Sequence, residues 1–260
     1  MTVLILGGMD DAHACHMLEH LRFGGTDAEL FDSRWFPSAL QIAYAPSPER
    51  GSLRLPTGRV LTFEEITSVY WRCYNNVQPP ELPDAEQAFI AGNDARGLFE
   101  SVLIRLGARW VNTWRAYQLH QTKPVQGGAH TRRLTSAHLD VENLGNLALA
   151  PVTIQEEVPG TNVRVFVAGQ RVLACEVRTE ALDFRDDGDP VIVPHDLPTE
   201  VAEWCLRVAR ALDLVWTGID LRLNPEGKYL FLEANPSPMF LGFESRSGLP
   251  LTASLAALLV

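Results

Sequence analysis

The sequence predicts an α/β fold, and three features carry that prediction. Residues 2 to 7 form an apolar run that passes through Gly7-Gly8 into a helical pattern and out into a second strand, a βαβ opening. Strand and helix signals then alternate as far as Asn112. Near the C-terminus, two alternating runs flank Asn224-Pro225-Glu226-Gly227, a cluster of turn formers that signals a hairpin.

The first helix is predicted to be capped by Asp10 or Asp11, with Ala14, Met17, Leu18 and Leu21 at helical spacing and Gly24-Gly25 as its stop. Ala28 to Phe31 restart a strand. Gly7-Gly8 lacks the third spaced glycine of a dinucleotide fingerprint, so a tight turn is the better reading. His13, His16 and His20 can share a helix face, but no cysteine or carboxylate joins them at metal-ligand spacing. Residues 46 to 58, rich in Pro, Ser, Gly and Arg, read as a hairpin or loop. Ile66 to Tyr74 reads as a strand from its β-branched and aromatic content. A proline-studded loop, 75 to 84, leads to a helix over Phe89 to Leu106 with Phe89, Leu98, Val102 and Leu106 as its apolar stripe. Trp110 to Asn112 is a short strand. Further on, residues 151 to 158, Val163 to Ala168 and Val172 to Val177 read as strands. Pro198 to Leu212 is a helix with Val201, Trp204, Cys205, Val208 and Leu212 inward, and Pro250 to Leu259 a closing helix.

Composition narrows the function. The chain has 260 residues, 46% apolar and 21% charged, which is ordinary for a globular protein of one large or two modest domains. A formal charge of −10 disfavours nucleic acid or an anionic membrane as partner. No apolar run approaches the roughly 20 residues that span a bilayer. Cys15, Cys73, Cys175 and Cys205 are scattered without a Cys-x-x-Cys pair, so neither a zinc site nor a disulfide framework is indicated, and a cytoplasmic location with reduced thiols is expected. Of 22 basic residues only Lys123 and Lys228 are lysine.

The hairpin carries the chemistry. With a four-residue loop on a type I turn, Leu223 would pair with Lys228, Arg222 with Tyr229, Leu221 with Leu230 and Asp220 with Phe231. One face then holds Ile219, Leu221, Leu223, Leu230, Leu232 and Ala234; the other gathers Asp220, Arg222, Tyr229, Phe231, Glu233 and Asn235. Two carboxylates and a carboxamide converging on one face suit Mg²⁺, which takes one or two carboxylates and fills its shell with phosphate oxygens and water. Arg222 beside them has the planar fork for a phosphate. The plainer alternative is a solvated face with an incidental ion pair.

A second stretch, His120-Gln-Thr-Lys-Pro-Val-Gln-Gly-Gly-Ala-His-Thr-Arg-Arg, sets Lys123 ahead of Gly127-Gly128 and of Arg132-Arg133. Glycines let backbone N–H groups approach an anion, and the cations neutralise it; an exposed basic loop is the alternative. Upstream of such a hairpin, phosphate handling is the better reading.

Asp220-Leu-Arg222 followed by Glu233-Ala-Asn235-Pro resembles the C-terminal signature of ATP-grasp ligases, above all the RimK-like branch and the graspetide maturases that crosslink microviridin-type peptides. The resemblance implies an N-terminal α/β pre-ATP-grasp domain over 1–112, to which Val-Tyr-Trp-Arg-Cys and Val-Asn-Thr-Trp-Arg belong, and an α+β ATP-grasp core over 113–260. It implies ATP and Mg²⁺ as cofactors, with Asp220, Glu233 and Asn235 holding the metal. Arg222 and Lys123 would act on phosphate, and Arg164 on phosphate or substrate. Gly127, Gly128, Glu156, Glu157, Val158 and Asn162 would join Lys123 around the nucleotide, the backbone at 156–158 being the adenine hinge. Leu182-Asp-Phe-Arg185 resembles the Asp-Trp-Arg of the peptide maturases, which puts Asp183 and Arg185, with Arg132, on the acceptor side; for Asp183 and Arg185 an exposed ion pair is the equal alternative. A single Lys-Pro-Val-Gln stands where the family has two lysine-bearing segments, which implies a shortened lid. The expected activity is a carboxylate ligase that forms an amide or ester through an acyl phosphate on a precursor peptide or an amino acid, with a second copy of the chain as partner if it dimerises. The alternative is a degenerate ATP-grasp protein that binds nucleotide or peptide without ligating.

Overall fold

The computed structural model describes residues 1–46, 49–121, 133–139, 144–145, 154–181 and 184–260. Among them are twelve strands and six α-helices, arranged on a four-stranded, a five-stranded and a three-stranded sheet.

The four-stranded sheet is parallel, with β1 (Thr2–Leu6), β2 (Ala28–Leu30), β6 (Ile66–Trp71) and β7 (Arg109–Val111) in the order β2-β1-β6-β7. Every residue of β1 is buried, as expected of a strand covered on both faces. Helix α1 (Ala12–Phe23) follows β1, and Asp11 caps it by accepting from the Ala14 N–H at 2.8 Å. The tight turn between them runs from Gly8 to Asp11, whose N–H donates to the Gly8 carbonyl at 3.1 Å. A side chain at Gly8 would collide with Arg34, which passes between the carboxylates of Asp10 and Asp32. Residues 41–46 and 49–54 form the hairpin β3–β4, which β5 (Val60–Thr62) extends to a third antiparallel strand.

Helix α2 (Ala85–Arg105) starts four residues before the expected point because Asp84 caps it, accepting from the Gln87 N–H. Its expected stripe is corrected. Phe89 is 70% exposed and Leu98 38%, while Ala95, Phe99, Val102 and Leu103 are the buried set. Phe99 stacks on Phe31 at 5.1 Å. A short α3 (Trp114–Gln121) leaves β7 and adds Trp114 and Tyr117 to an aromatic cluster around Trp71.

The five-stranded sheet is antiparallel, in the order β10-β9-β8-β11-β12, from β8 (Thr161–Ala168), β9 (Arg171–Arg178), β10 (Val191–Pro194), β11 (Trp216–Leu223) and β12 (Tyr229–Asn235). The described part of the strand expected at 151 to 158 is not a strand; residues 154–159 are irregular. Helix α4 (Thr199–Ala211) covers one face, burying Cys205 and Ala209 against Val163, Val165, Val167, Ile219 and Leu221. The opposite face carries Phe166, Cys175, Val177 and Trp216, which share one core with Val3, Ile5, Met17 and Tyr70 of the parallel sheet. Helices α5 (Leu241–Ser247) and α6 (Leu251–Ala256) close that core with Phe243, Leu251 and Leu255. The C-terminal chain returns to the parallel sheet, where Ser68 Oγ donates to the Leu259 carbonyl and Arg109 to that of Val260.

The hairpin β11–β12 departs from the expected register in two places. At the turn, Leu223 pairs with Tyr229 and the loop is Pro225-Glu226-Gly227. Gly227 takes a φ of 78°, the left-handed conformation that ends a three-residue loop on a type I turn. Further along, Leu221 pairs with Phe231 but Asp220 with Glu233, so Leu232 is an unpaired bulge residue. The turn therefore places Tyr229 and Phe231 on the face covered by α4, where Phe231 meets Trp204 at 6.2 Å. The bulge restores Glu233 and Asn235 to the face of Asp220.

Candidate active site

On the sheet face opposite α4, the strand pairing sets one row of polar side chains across three strands. Asp220 of β11 lies between Arg164 of β8 and Glu233 of β12 as its two cross-strand partners, and Asn235 follows two residues after Glu233 on the same face. Arg164 is 7% exposed, and its Nη1 donates to Asp220 Oδ1 at 2.5 Å and Oδ2 at 2.6 Å. Its guanidinium lies 5.5 Å from the Phe166 ring and 5.6 Å from Phe243, so its charge is fixed in place by packing as well as by pairing. Arg164 Nε is buried and has no partner among the described residues. Gly218, the next residue of the row on β11, is required by close approach: a Cβ there would lie 2.7 Å from Arg164 Nη2. Asn235 Nδ2 donates to Glu233 Oε1 at 2.8 Å.

Burial pushes the Asp220 carboxyl above the ordinary carboxylate range; Arg164 pulls it down, and the neighbouring Glu233 carboxylate pushes it up again. Two carboxylates held side by side beside an already paired arginine are an arrangement that a cation would relieve. Among the described residues no three His, Cys, Asp or Glu side chains gather as a metal group; Asp220, Glu233 and Asn235 together present two carboxylates and one carboxamide on this face. Such an all-oxygen set fits Mg²⁺ with phosphate oxygens completing its shell. The three histidines of α1 form no metal group. His16 bonds to Thr252 and stacks on His20, while His13 is buried against Phe240.

Arg222, one rung nearer the turn on the same face, donates from Nε to the Val158 carbonyl at 2.9 Å and from Nη1 to Asn162 Oδ1 at 2.7 Å. It thus joins the hairpin to the segment expected to bind adenine, and Asn162 and Arg222 line a cavity with Gly160, Thr161, Val177, Arg178 and Thr179. Glu157 is exposed and pairs with Arg133 at 2.7 Å; Glu156 is exposed and Val158 half-buried. Lys123, Gly127, Gly128, Arg132 and Asp183 lie outside the described residues, as does the side chain of Arg185.

Two residues outside the sequence-derived set reach the same place. Asn112, at the end of β7, is buried and bonds to the backbone of Trp216 and Pro236. Arg72, at the end of β6, bonds to Asp11 and Ser237. Both stand in stretches, Val-Tyr-Trp-Arg and Val-Asn-Thr-Trp, that the family resemblance singles out, but only as part of the N-terminal domain.

Residues 145–259 match the family described as the RimK-like ATP-grasp domain. No curated protein matches the sequence. Among solved structures, the ATP-grasp ligase PsnB, complexed with a phosphomimetic variant of a minimal precursor, Mg and ADP, is 26% identical, with a TM-score of 0.78 over 99% of this chain and 98% of that one. The macrocyclase MdnC of Microcystis aeruginosa MRC, bound with precursor peptide MdnA, is 19% identical at a TM-score of 0.82, covering 100% of this chain and 99% of its own. A RiPP-associated ATP-grasp ligase of Chryseobacterium gregarium, in complex with ADP and a leader and core peptide, is 19% identical at a TM-score of 0.82, over 99% and 96% of the two chains. The last two likenesses are of fold.

Proposed function

We propose, starting from the RimK-like ATP-grasp domain that this chain carries, that it is an ATP- and Mg²⁺-dependent ligase acting on a ribosomally made precursor peptide. The γ-phosphoryl group of ATP passes to a side-chain carboxylate, giving an acyl phosphate and ADP. An amine or hydroxyl then attacks the acyl carbon, the C–O bond to phosphate breaks, the nucleophile loses its proton, and inorganic phosphate leaves with an amide or ester formed. A free amino acid is the second choice of acceptor. The observation that carries this reading is the row Arg164–Asp220–Glu233 with Asn235 at its end.

Little covalent work falls to the side chains in such a reaction; they position and neutralise. Mg²⁺, when bound, would supply positive charge against that which develops on the transferred group. Asp220, Glu233 and Asn235 would hold it. Arg164 is buried and packed against two rings, so it can present charge without reorganising. Arg222 keeps the 158–162 segment against the sheet, and with it the expected adenine hinge at Glu156, Glu157 and Val158. Lys123, Gly127 and Gly128 at phosphate, and Arg132, Asp183 and Arg185 toward the acceptor, complete the proposal on their motifs alone. So does the division into 1–112 and 113–260, the matched domain falling inside the second part.

The test is ADP release in the presence of Mg²⁺ and peptides that carry Asp or Glu together with Lys, Ser or Thr. Asp220→Asn and Glu233→Gln should each lower turnover by about 100-fold or more, since loss of even an outer-shell partner of a metal costs about 10- to 100-fold. Unchanged turnover in both variants would refute the assignment.

A further inference from the structure

Resting on that reading of the cation site, we propose that Asn112 is a positioning residue for it, with Arg72 acting beside it. The carboxyl edge of the parallel sheet would set the spacing of the two strands that carry Asp220, Glu233 and Asn235.

Asn112 is 2% exposed, and its amide makes every bond an amide can make at that site. Nδ2 donates to the Trp216 and Pro236 carbonyls, each at 2.7 Å. Oδ1 accepts from the Val215 N–H at 2.8 Å and the Trp216 N–H at 3.1 Å. Trp216 is the first residue of β11, and Pro236 follows Asn235, the last residue of β12. One buried side chain therefore joins the beginning of one strand to the end of the other, at the open end of the hairpin, close to the Asp220–Glu233 and Gly218–Asn235 rungs.

Arg72 secures the next residue along. Its Nη1 donates to Ser237 O and Oγ, both at 2.8 Å, and Ser237 Oγ donates back to the Arg72 carbonyl at 2.5 Å. Its Nε is held by both oxygens of Asp11, the cap of α1. The turn closes the hairpin at the far end, beyond the Leu232 bulge and away from the Asp220–Glu233 rung. The ties at Asn112 and Arg72 act at the near end. Mg²⁺ demands near-octahedral geometry at about 2.0–2.1 Å, so a hairpin free to splay would lose cation affinity first.

The quantity to measure is the increase in ADP affinity that Mn²⁺ supplies, from calorimetry with and without the metal, alongside the thermal midpoint. Asn112→Asp keeps both acceptor contacts, to the N–H groups of Val215 and Trp216, and sets a carboxylate against the Trp216 and Pro236 carbonyls. The proposal expects the Mn²⁺-dependent gain to fall by about 10- to 100-fold, with ADP binding in the absence of metal unchanged and the loss recovered at high Mn²⁺. Ser237→Ala, which removes two of the three Ser237 contacts, should lower the gain by less. If Asn112→Asp does not fold, Ser237→Ala decides alone. A lowered midpoint with the metal-dependent gain intact would overturn the proposal, because a purely structural role predicts that pattern. Asp220→Asn is the reference. If it abolishes the gain while Asn112→Asp and Ser237→Ala do not, the positioning role fails and the cation site stands; if Asp220→Asn leaves the gain intact, the site assignment fails and this inference with it.

Discussion

His13 illustrates how a single side chain at the junction of the two large sheets responds to its surroundings. It is buried against Phe240, at 4.8 Å between rings, and burial, with help from the nearby Arg72 and His16, pushes its pKa from 6.5 down to about 4 against the opposing pull of Asp11. The folded protein therefore holds a neutral imidazole, while the unfolded chain takes up a proton below pH 6.5. The stability that this neutral form contributes is complete above pH 6.5 and is lost as pH falls from there toward 4. A shift of that size corresponds to roughly 2–3 kcal/mol between pH 7 and 4.5. Urea unfolding at the two pH values should show wild type losing about 2 kcal/mol more than His13→Gln; equal losses would mean that His13 does not titrate in this window. Asp27, held down to about 2 by Arg59, belongs to a lower window and does not interfere. At this scale the sequence was only partly legible. His13, His16 and His20 stood out as a group, yet their partners, Phe240 and Thr252, lie more than 200 residues away.

At the scale of elements, the hairpin teaches why alternation alone did not settle a register. Tyr229-Leu230-Phe231-Leu232 is apolar at both parities, so nothing in that run says which side chains face α4. Glu233-Ala234-Asn235 does alternate, and its alternation gives the observed faces. The bulge at Leu232 is what reconciles the two halves. Phe231 consequently belongs to the packing on Trp204 and not to the site. Phe231→Ala should lower stability by about 1–2 kcal/mol, the contact being partly exposed, while leaving the Mg²⁺ dependence of ATP turnover where it was. A changed Mg²⁺ requirement at unchanged stability would put Phe231 back on the site face. Helix α2 has a similar history: several apolar stripes fit its 21 residues, and the choice fell to Phe31 and Phe36, which meet Phe99 from elsewhere in the chain.

For the molecule as a whole, the two large sheets share one core, and the carboxyl ends of β6 and β7 abut the open end of the β11–β12 hairpin. The α/β class, the βαβ opening and the shared face of Asp220, Glu233 and Asn235 are legible because each depends on local periodicity or on residue type. The clamp by Asn112 and Arg72 was not, since their partners are 104 and 165 residues away and no short motif encodes such a distance. The central claim is that these three donors gather a divalent cation at the phosphates of a bound nucleotide. Crystals grown with Mn²⁺ and ADP test it directly by anomalous scattering. The account predicts a Mn²⁺ peak about 2.1 Å from oxygens of Asp220, Glu233 and Asn235 and bonded also to phosphate oxygen. A nucleotide bound with its metal held by other residues, and these three side chains uninvolved, would contradict it.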